Sequence, residues 1–388
     1  LKMSDIINFY NTNSITTYDD AQDFLKKEPY YLDLKYDGNI YRISHIEGKS
    51  DRNNKIVKTF SGLILKKDNI GDILYRGQNL SEQIVVENTI TNDDIKTVNV
   101  NDWEHITVQK LYDGSRIKVF YIDGVGWNVS TSRCINACKA FWNSPKSFYQ
   151  LFMECLGNFN LESLDKNKCY TFIIQHPENR NVIPYSIPSL IHVSTYDKIT
   201  NNIVDIDIGL PKAEVCVFES FDKLIENLLT LEYTSPGYML IDNNHNRVHL
   251  ICSKYDKIRK LKGNVPLISQ RYLQLRKSSR DDISKFLEIF PEYKFICDDV
   301  EKHLTYICKT IFHKYQLRRK QHRRVFLTPI EREIHYKAHG LYLGMRIQNN
   351  INQTNIVRSI VLDDITLLVN GLPVYKILQL LRNSNISI

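Results

Sequence analysis

The most informative segment of this chain is Lys110-Leu111-Tyr112-Asp113-Gly114-Ser115. It lies inside residues 106–122, two β-like runs joined at the Asp-Gly pair, and this pattern predicts a hairpin turn. Strand side chains alternate between faces, so Leu111 shares the face of Asp113 and Lys110 lies on the opposite face. A β-bulge would re-aim Lys110 towards Asp113. Without a bulge, the position on the aspartate's face belongs to a leucine.

Composition places the chain among ordinary globular proteins. It has 388 residues, 43% hydrophobic and 24% charged, which is enough for two or three domains. The net charge of +7 leans weakly towards an anionic partner. The eight cysteines form no CxxC pair and no His/Cys cluster at zinc spacing, so we expect no metal site. We expect no cofactor either. No apolar run reaches 18 residues, which predicts a cytoplasmic chain without a membrane partner.

The period of the apolar residues changes along the chain. Short β-like runs separated by polar turns continue to about residue 252, whereas Ile283, Phe286 and Phe290 follow a helical spacing. The sequence therefore predicts an α+β body over residues 1–278 and an all-helical C-terminal domain over residues 279–388.

Three later stretches match, in order, one family of enzymes. After 110–115 and Ser130-Thr131-Ser132-Arg133 comes Phe172-Ile173-Ile174-Gln175-His176-Pro177-Glu178-Asn179-Arg180-Asn181-Val182, and then Pro236-Gly237-Tyr238-Met239 followed by residues 248–255. Together they resemble the bacteriophage RNA ligase type 1 branch of the covalent nucleotidyltransferases. Residues 261–276 and the helical tail resemble ligase-like proteins of large (giant) eukaryotic DNA viruses. The resemblance implies a nucleotidyltransferase (ligase/ATP-grasp-like) body built on antiparallel sheets.

The resemblance also shows which catalytic residue types of the family are absent from this sequence. Such enzymes carry a nucleoside monophosphate on the lysine of Lys-x-Asp-Gly, use carboxylates for the ribose and metal, and use two lysines on a later strand for the phosphate. At those positions this chain has Leu111, Ile173, Pro236, His249 and Ile251. We therefore expect an inactive protein with a vestigial nucleotide pocket, which comprises Lys110, Leu111, Asp113, Gly114, Ser115, Ile173, Arg180, Pro236, Gly237, His249 and Ile251.

A second Lys-x-Asp-Gly string occurs at Lys35-Tyr36-Asp37-Gly38. It is followed by Asn39 and a new β-like run, which is typical of a hairpin turn. Because nothing downstream of it matches the other motifs in order, we interpret it as a turn.

Basic residues concentrate in two places. Residues 314–324 hold six permanent cations and no acid, and the pattern predicts that they continue a helix beginning near Val300. These cations, beside Tyr315 and Phe326, favour nucleic-acid phosphates. The predicted nucleic-acid-binding residues are Lys314, Arg318, Arg319, Lys320, Arg323 and Arg324, with a second run at Lys254, Lys257, Arg259, Lys260 and Lys262.

The favoured hypothesis is an inactive RNA-ligase-like module that binds RNA in viral RNA metabolism, in the host cytoplasm or a viral factory. One alternative is a scaffold subunit of a viral RNA-processing, transcription or translation complex, with viral or host proteins as partners. A second is an active ligase using a displaced Lys110. A third is a non-covalent nucleotide or RNA 5′-cap binder using Asp113, Arg180, His249 and either Tyr112 or Trp127.

Overall fold

The computed structural model describes residues 3–69, 72–77, 81–351 and 358–384. Within them the strands β1 to β14 are, in chain order, Leu32–Asp37, Ile40–His45, Ile64–Lys66, Ile73–Tyr75, Glu82–Val86, Thr107–Lys110, Ser115–Ile122, Gly126–Thr131, Lys168–Gln175, Ser189–Asp197, Asn202–Val204, Val215–Cys216, Gly237–Ile241 and Arg247–Cys252. The helices α1 to α12 are Met3–Thr12, Tyr18–Leu25, Lys55–Phe60, Phe148–Leu156, Phe221–Thr230, Ser253–Lys262, Ile268–Ser278, Arg280–Ile289, Lys294–Arg319, Pro329–Ile351, Leu362–Asn370 and Val374–Asn383.

The chain divides into two compact units, Leu1–Lys262 and Gly263–Ile388. The described residues of the first unit form three sheets, with strand orders β1-β2-β3-β4, β11-β10-β9-β7-β8 and β12-β6-β13-β14-β5. Neighbouring strands are antiparallel except β14 and β5. The described part of the second unit is helical. The predicted α+β class, with antiparallel sheets and a helical C-terminal region, is therefore confirmed. The predicted boundary after residue 278 concerns folding domains and stays a prediction.

Each five-stranded sheet packs one face against a helix. Helix α4 begins at the cap Ser147, whose hydroxyl accepts from the Gln150 N–H, and it buries Leu151 and Phe152 against the sheet that contains β7 and β9. Helix α5 buries Leu224 and Leu228 against the sheet that contains β6, β13 and β14. These two sheets carry the residues of the candidate site.

The expected hairpin at Asp113-Gly114 is wrong. Strand β6 pairs with β12 and β13, whereas β7 pairs with β8 and β9, so the Asp-Gly pair carries the chain from one sheet to the other. Gly114 has a φ of 148°, and Asp113 is held by residues far along the chain rather than by a local turn. The turn at Lys35–Gly38 is confirmed, since β1 and β2 form a hairpin with Gly38 at a φ of 60°.

The basic helix is shorter than expected. Helix α9 ends at Arg319, and residues 320–324 lie beyond it instead of continuing it. The Arg323 N–H donates to the Leu317 carbonyl oxygen at 3.0 Å and closes the end of the helix. A longer helix would have set like charges four residues apart along this stretch, which is unfavourable.

Helix α10 begins at a capping box, in which the Thr328 N–H donates to Glu331 Oε2 (2.8 Å) and the Glu331 N–H donates to the Thr328 hydroxyl (3.3 Å). Among all the helices that could be described, none combines the length and the apolar character needed to cross a bilayer.

Candidate functional site

Asp113 is a buried hub of hydrogen bonds. Asp113 is 2% exposed to solvent. The N–H groups of Val182 and Ile183 donate to Oδ2 at 2.9 and 2.8 Å, and the Tyr255 hydroxyl donates to Oδ1 at 2.7 Å. Its main-chain oxygen accepts from Tyr185 Oη at 3.0 Å. The carboxylate is therefore engaged in holding three segments of the first unit together.

The neighbouring framework residues close the same region. Asn179 Nδ2 donates to Ser115 Oγ at 2.8 Å, and Asn181 Nδ2 donates to the Gly114 carbonyl oxygen at 2.9 Å. Arg180 Nε donates to the Val182 carbonyl oxygen at 3.0 Å, which orders the loop that faces Asp113. These polar residues secure the crossing between the two sheets.

Two glycines permit close backbone contacts at this crossing. A Cβ atom at Gly114 would lie 2.3 Å from the Ile174 carbonyl oxygen and 2.6 Å from Ile173 Cγ2. A Cβ atom at Gly237, which has a φ of 124°, would lie 2.1 Å from the Leu250 carbonyl oxygen. Only glycine fits either position without a backbone shift.

Lys110 points away from the hub. The β6–β13 register runs through Lys110, which is opposite Tyr238, without a shift, so no bulge re-aims the lysine. Its Nζ lies 3.4 Å from Glu214 Oε2, and its side chain is 42% exposed. Lys110 thus belongs to a surface ion pair.

Two of the three positions that the resemblance reserves for lysines are apolar and packed together. Leu111 and Ile251 belong to one cluster with Val182, Cys252 and Tyr255, in which Ile251 is 4% exposed. The Leu111 N–H donates to the Gly237 carbonyl oxygen at 2.9 Å. Pro236 is buried, and its carbonyl oxygen accepts from the Cys252 N–H at 2.9 Å. Hydrocarbon fills this part of the first unit.

His249 does not replace a lysine charge. Burial, followed by the charges of Arg116, Arg247 and Arg52, lowers the pKa of His249 to about 3. Its Nε2 lies 3.1 Å from Ser81 Oγ. The imidazole is therefore neutral near pH 7 and offers hydrogen bonds rather than charge.

Sequence reasoning missed Arg247 and Arg116. Arg247 is 7% exposed, and its Nε and Nη1 have no hydrogen-bond partner among the described residues. Burial, followed by the charge of Arg116, lowers the pKa of Arg247 to about 10. The available signal was strand alternation, because Arg247, His249 and Ile251 occupy every second position of β14 and share one face.

The other groups named for a nucleotide or cap pocket have structural contacts. The Tyr112 hydroxyl accepts from the Glu214 N–H at 3.2 Å. Trp127 packs edge-on against Tyr121, with ring centroids 5.4 Å apart.

One group of side chains has the composition of a metal site. Glu154, His176 and Glu178 bring their ligand atoms within 4.8 Å of one another. However, Lys146 Nζ already lies 2.9 Å from Glu154 and 2.7 Å from Glu178. His176 Nδ1 accepts from the Glu178 N–H, so Nε2 carries the proton and donates to Glu154 at 2.9 Å. The group is an ion-pair cluster around Lys146.

Most of the basic stretch in the second unit is free of acidic partners. Arg318, Arg319, Lys320, Arg323 and Arg324 are exposed, and none forms a salt bridge with any residue in the described ranges.

Three side chains around this stretch differ in their ion pairing and solvent exposure. Lys314 pairs with Glu331 at 2.7 Å. Tyr315 is 5% exposed and packs against His335, so it is unavailable for stacking, whereas Phe326 is 84% exposed.

Four of the five cations in the second basic run have acidic partners. Lys254 pairs with Glu232 at 2.7 Å and Lys257 with Glu87 at 3.4 Å. Arg259 and Lys260 both pair with the buried Asp256. Lys262 is 5% exposed. As nucleic-acid contacts these five residues remain a prediction.

No family model matches the chain. It is 26% identical over 220 residues to the immediate-early protein ICP-46 homolog of Invertebrate iridescent virus 3, covering 54% of this chain and 49% of that protein. It is 25% identical over 201 residues to immediate-early protein ICP-46 of Frog virus 3 (isolate Goorha), covering 43% and 49%. The chain spans about half the length of these curated relatives.

Among solved structures, the chain is similar to form 2 of an archaeal ATP-dependent RNA ligase. The TM-score is 0.43 and the identity is 11%, with 78% of this chain and 82% of that chain covered.

Proposed function

We propose that this chain is a catalytically inactive, ligase-like protein of viral RNA metabolism that binds RNA through its C-terminal unit. The observation that carries the proposal is the group of five exposed cations, Arg318, Arg319, Lys320, Arg323 and Arg324, without acidic partners in the described part of the chain. Unpaired surface cations release condensed counterions when they contact phosphates, and this release drives binding.

Inactivity is supported by the region around Asp113. A nucleotidyl-transfer enzyme needs an amine aimed at the α-phosphate and cations that stabilise its developing charge. Here Lys110 is paired with Glu214, Leu111 and Ile251 pack together, and His249 is neutral. Losses within such a cooperating set do not compensate one another.

A viral setting is supported by the sequence relatives, which are iridovirus proteins. The preference for RNA over DNA rests on the motif resemblance at residues 110–115, 172–182 and 236–255. We accordingly place the protein in the host cytoplasm or a viral factory.

The test is a salt titration of RNA binding by the purified full chain, using a labelled single-stranded RNA and a DNA of the same sequence. The triple variant Arg318→Gln/Arg323→Gln/Arg324→Gln should flatten the slope of log K against log salt by about 2, since each phosphate contact on a single strand contributes roughly 0.7. The matched control, Lys212→Gln/Lys223→Gln, removes cations outside both basic runs that already pair with Asp205 and Glu226, and it should leave the slope nearly unchanged.

Two results would overturn the proposal. One is the absence of salt-dependent RNA binding by pure, folded protein, which would favour the scaffold alternative. The other is an unchanged slope in the triple variant. Tighter binding of the DNA strand would correct the class of nucleic acid.

A further inference from the structure

Helix α9 is free of acidic residues over a longer stretch than its basic end. The sequence contains no aspartate or glutamate from Lys302 to Ile330. The last acidic residue before this acid-free run is Glu301, in the third turn of the helix. From Lys302 to Arg319, every permanently charged side chain of α9 is therefore a cation.

Four exposed side chains in the acid-free run lie on one side of α9. This α9 face consists of Lys302, Tyr306, Lys309 and His313. At 3.6 residues per turn, these four positions fall within an arc of about 60°. The opposite side of the helix is buried and includes Leu304, Ile311 and Tyr315. Packing of that buried side within the second unit holds the α9 face towards solvent.

The two lysines of the α9 face are available to an external anion. Neither Lys302 nor Lys309 forms a salt bridge with a residue in the part of the chain that the structure describes. The acids just before them have other partners, since Glu301 pairs with Arg276 and Asp299 lies 3.1 Å from His303.

A large exposed aromatic ring lies between the two lysines. Tyr306 is 63% exposed, and it is four residues from Lys302 and three from Lys309, so both cations are its neighbours on the helix surface. An exposed ring beside cations suits an unpaired nucleic-acid strand, whose bases stack on the ring while its phosphates meet the charges. In a duplex the faces of the bases are already covered by neighbouring bases, except at its ends.

We propose that the α9 face binds a single-stranded segment of RNA and leads it along the helix to the basic stretch. The inference rests on the proposed function and deepens it, because it names the form of the RNA and the path that it follows. Lys302 and Lys320 are 18 residues apart, which corresponds to about 27 Å of helix. This length matches about eight stacked nucleotides at roughly 3.4 Å each.

The first experiment compares a labelled single-stranded RNA of about 12 nucleotides with the same strand annealed to its complement, using fluorescence anisotropy and the full chain. Tyr306→Ala should weaken binding of the single strand by about 5- to 150-fold, the range for one base stacked on an aromatic ring. It should leave binding of the duplex unchanged. Tyr306→Phe keeps the ring and should bind both RNAs as the wild type does.

The second experiment tests the two lysines in a salt titration with the single strand. Lys302→Gln/Lys309→Gln should flatten the slope of log K against log salt by about 1.4, because each phosphate contact contributes roughly 0.7. The matched control is Lys285→Gln/Lys294→Gln, which removes two exposed lysines of the same unit that lie before the acid-free run. The control removes the same net charge and should leave the slope nearly unchanged.

Three results would overturn the α9 face as a binding surface. Tyr306→Ala could bind the single strand as tightly as the wild type, or it could weaken the single strand and the duplex equally. The lysine variant could also change the slope no more than its control does. All the substituted side chains are exposed, so each variant should keep the wild-type midpoint of thermal unfolding, which shows that it is folded.

Failure of this inference can be distinguished from failure of the proposed function. If Arg318→Gln/Arg323→Gln/Arg324→Gln flattens the slope while the α9 variants do not, the basic stretch binds RNA and the α9 face does not. If only the α9 variants change binding, the contacts assigned to the basic stretch are wrong and the α9 face stands. A folded protein that binds no RNA would overturn both.

Discussion

The hydroxyl of Tyr255 donates a 2.7 Å hydrogen bond to Oδ1 of Asp113, which joins helix α6 to the crossing between β6 and β7. Burial, followed by the charge of Asp113, raises the pKa of Tyr255, so the phenol keeps its proton and remains a donor. With Val182 and Ile183 donating to the other oxygen, the carboxylate is satisfied on both sides. An aspartate that the resemblance assigns to a nucleotide pocket therefore has a structural role here.

Asp113→Asn should destabilise the first unit. The single amide oxygen of asparagine can accept only some of the three hydrogen bonds that the two carboxylate oxygens accept. The NH₂ group of the asparagine would then face N–H or O–H donors. Loss of charge-assisted hydrogen bonds and a donor left unsatisfied should together cost about 3 kcal/mol in the free energy of unfolding. Urea denaturation of the full chain measures this cost.

The matched control for this substitution is Asp37→Asn. Asp37 pairs with the exposed Lys139 at 2.9 Å, and exposed pairs contribute about 1 kcal/mol or less. Equal effects of the two substitutions would contradict the structural role of Asp113.

No covalent nucleotide should form on this protein. Incubation with α-labelled ATP or GTP and Mg²⁺ or Mn²⁺ should leave the denatured chain unlabelled. Leu111→Lys, which restores Lys-x-Asp-Gly, should also stay unlabelled because Ile173, Pro236 and His249 still lack the required groups. Wild-type label that disappears in Lys110→Ala would make the protein an active enzyme with a displaced nucleophile.

Two Asp-Gly pairs explain how far local sequence could predict the fold. At Asp37-Gly38 the local pattern decides the outcome, and the predicted hairpin forms. At Asp113-Gly114 the same pattern carries the chain from one sheet to another. There the Asp113 carboxylate accepts hydrogen bonds from Val182, Ile183 and Tyr255, which lie 69 or more residues away in sequence. Turn chemistry is local, whereas the partners of a buried carboxylate are set by the tertiary fold.

Sequence could predict the features of the candidate site that depend only on the charge or the type of the residue at each position. The apolar residues at positions 111 and 251 are visible in the sequence, but their packing in one cluster is a result of tertiary structure. The acids that neutralise Lys254 and Lys257 are Glu232 and Glu87, and only the fold brings them together. The burial of Arg247 depends in the same way on neighbouring strands.

Phe326 should strengthen RNA binding by stacking. Its ring is 84% exposed and follows Arg324 by two residues. Phe326→Ala should weaken RNA binding by about 1–3 kcal/mol, the range for a base stacked on an aromatic ring, and should leave the salt slope unchanged because no charge is removed. Fluorescence anisotropy at several salt concentrations measures both quantities.

The control for stacking is Phe295→Ala. Phe295 is 80% exposed near the start of α9, and 24 residues of helix separate it from Arg319 by about 36 Å. Its removal should leave RNA affinity unchanged. An equal loss in both variants would point to non-specific contacts of exposed aromatic rings.

His249 should make the first unit less stable as the pH falls below neutral. Its pKa of about 3 in the folded protein lies below the ordinary value of 6.5, so between these values the unfolded chain binds more protons. Stability from the neutral imidazole is full above about pH 6.5 and is lost as the pH falls towards 3. Between pH 7 and pH 5 the loss should be roughly 1–2 kcal/mol.

His249→Gln should remove this part of the pH dependence, since glutamine keeps hydrogen-bonding groups for Ser81 but does not titrate. Urea unfolding at pH 7 and pH 5 gives the difference for wild type and variant. His105→Gln is the control, because His105 is exposed and its hydrogen bond with Asp102 raises its pKa instead of lowering it. Its removal should leave the loss of stability towards pH 5 in place. If His249→Gln loses as much stability as the wild type between the two pH values, the imidazole is not held neutral by burial and the neighbouring arginine charges.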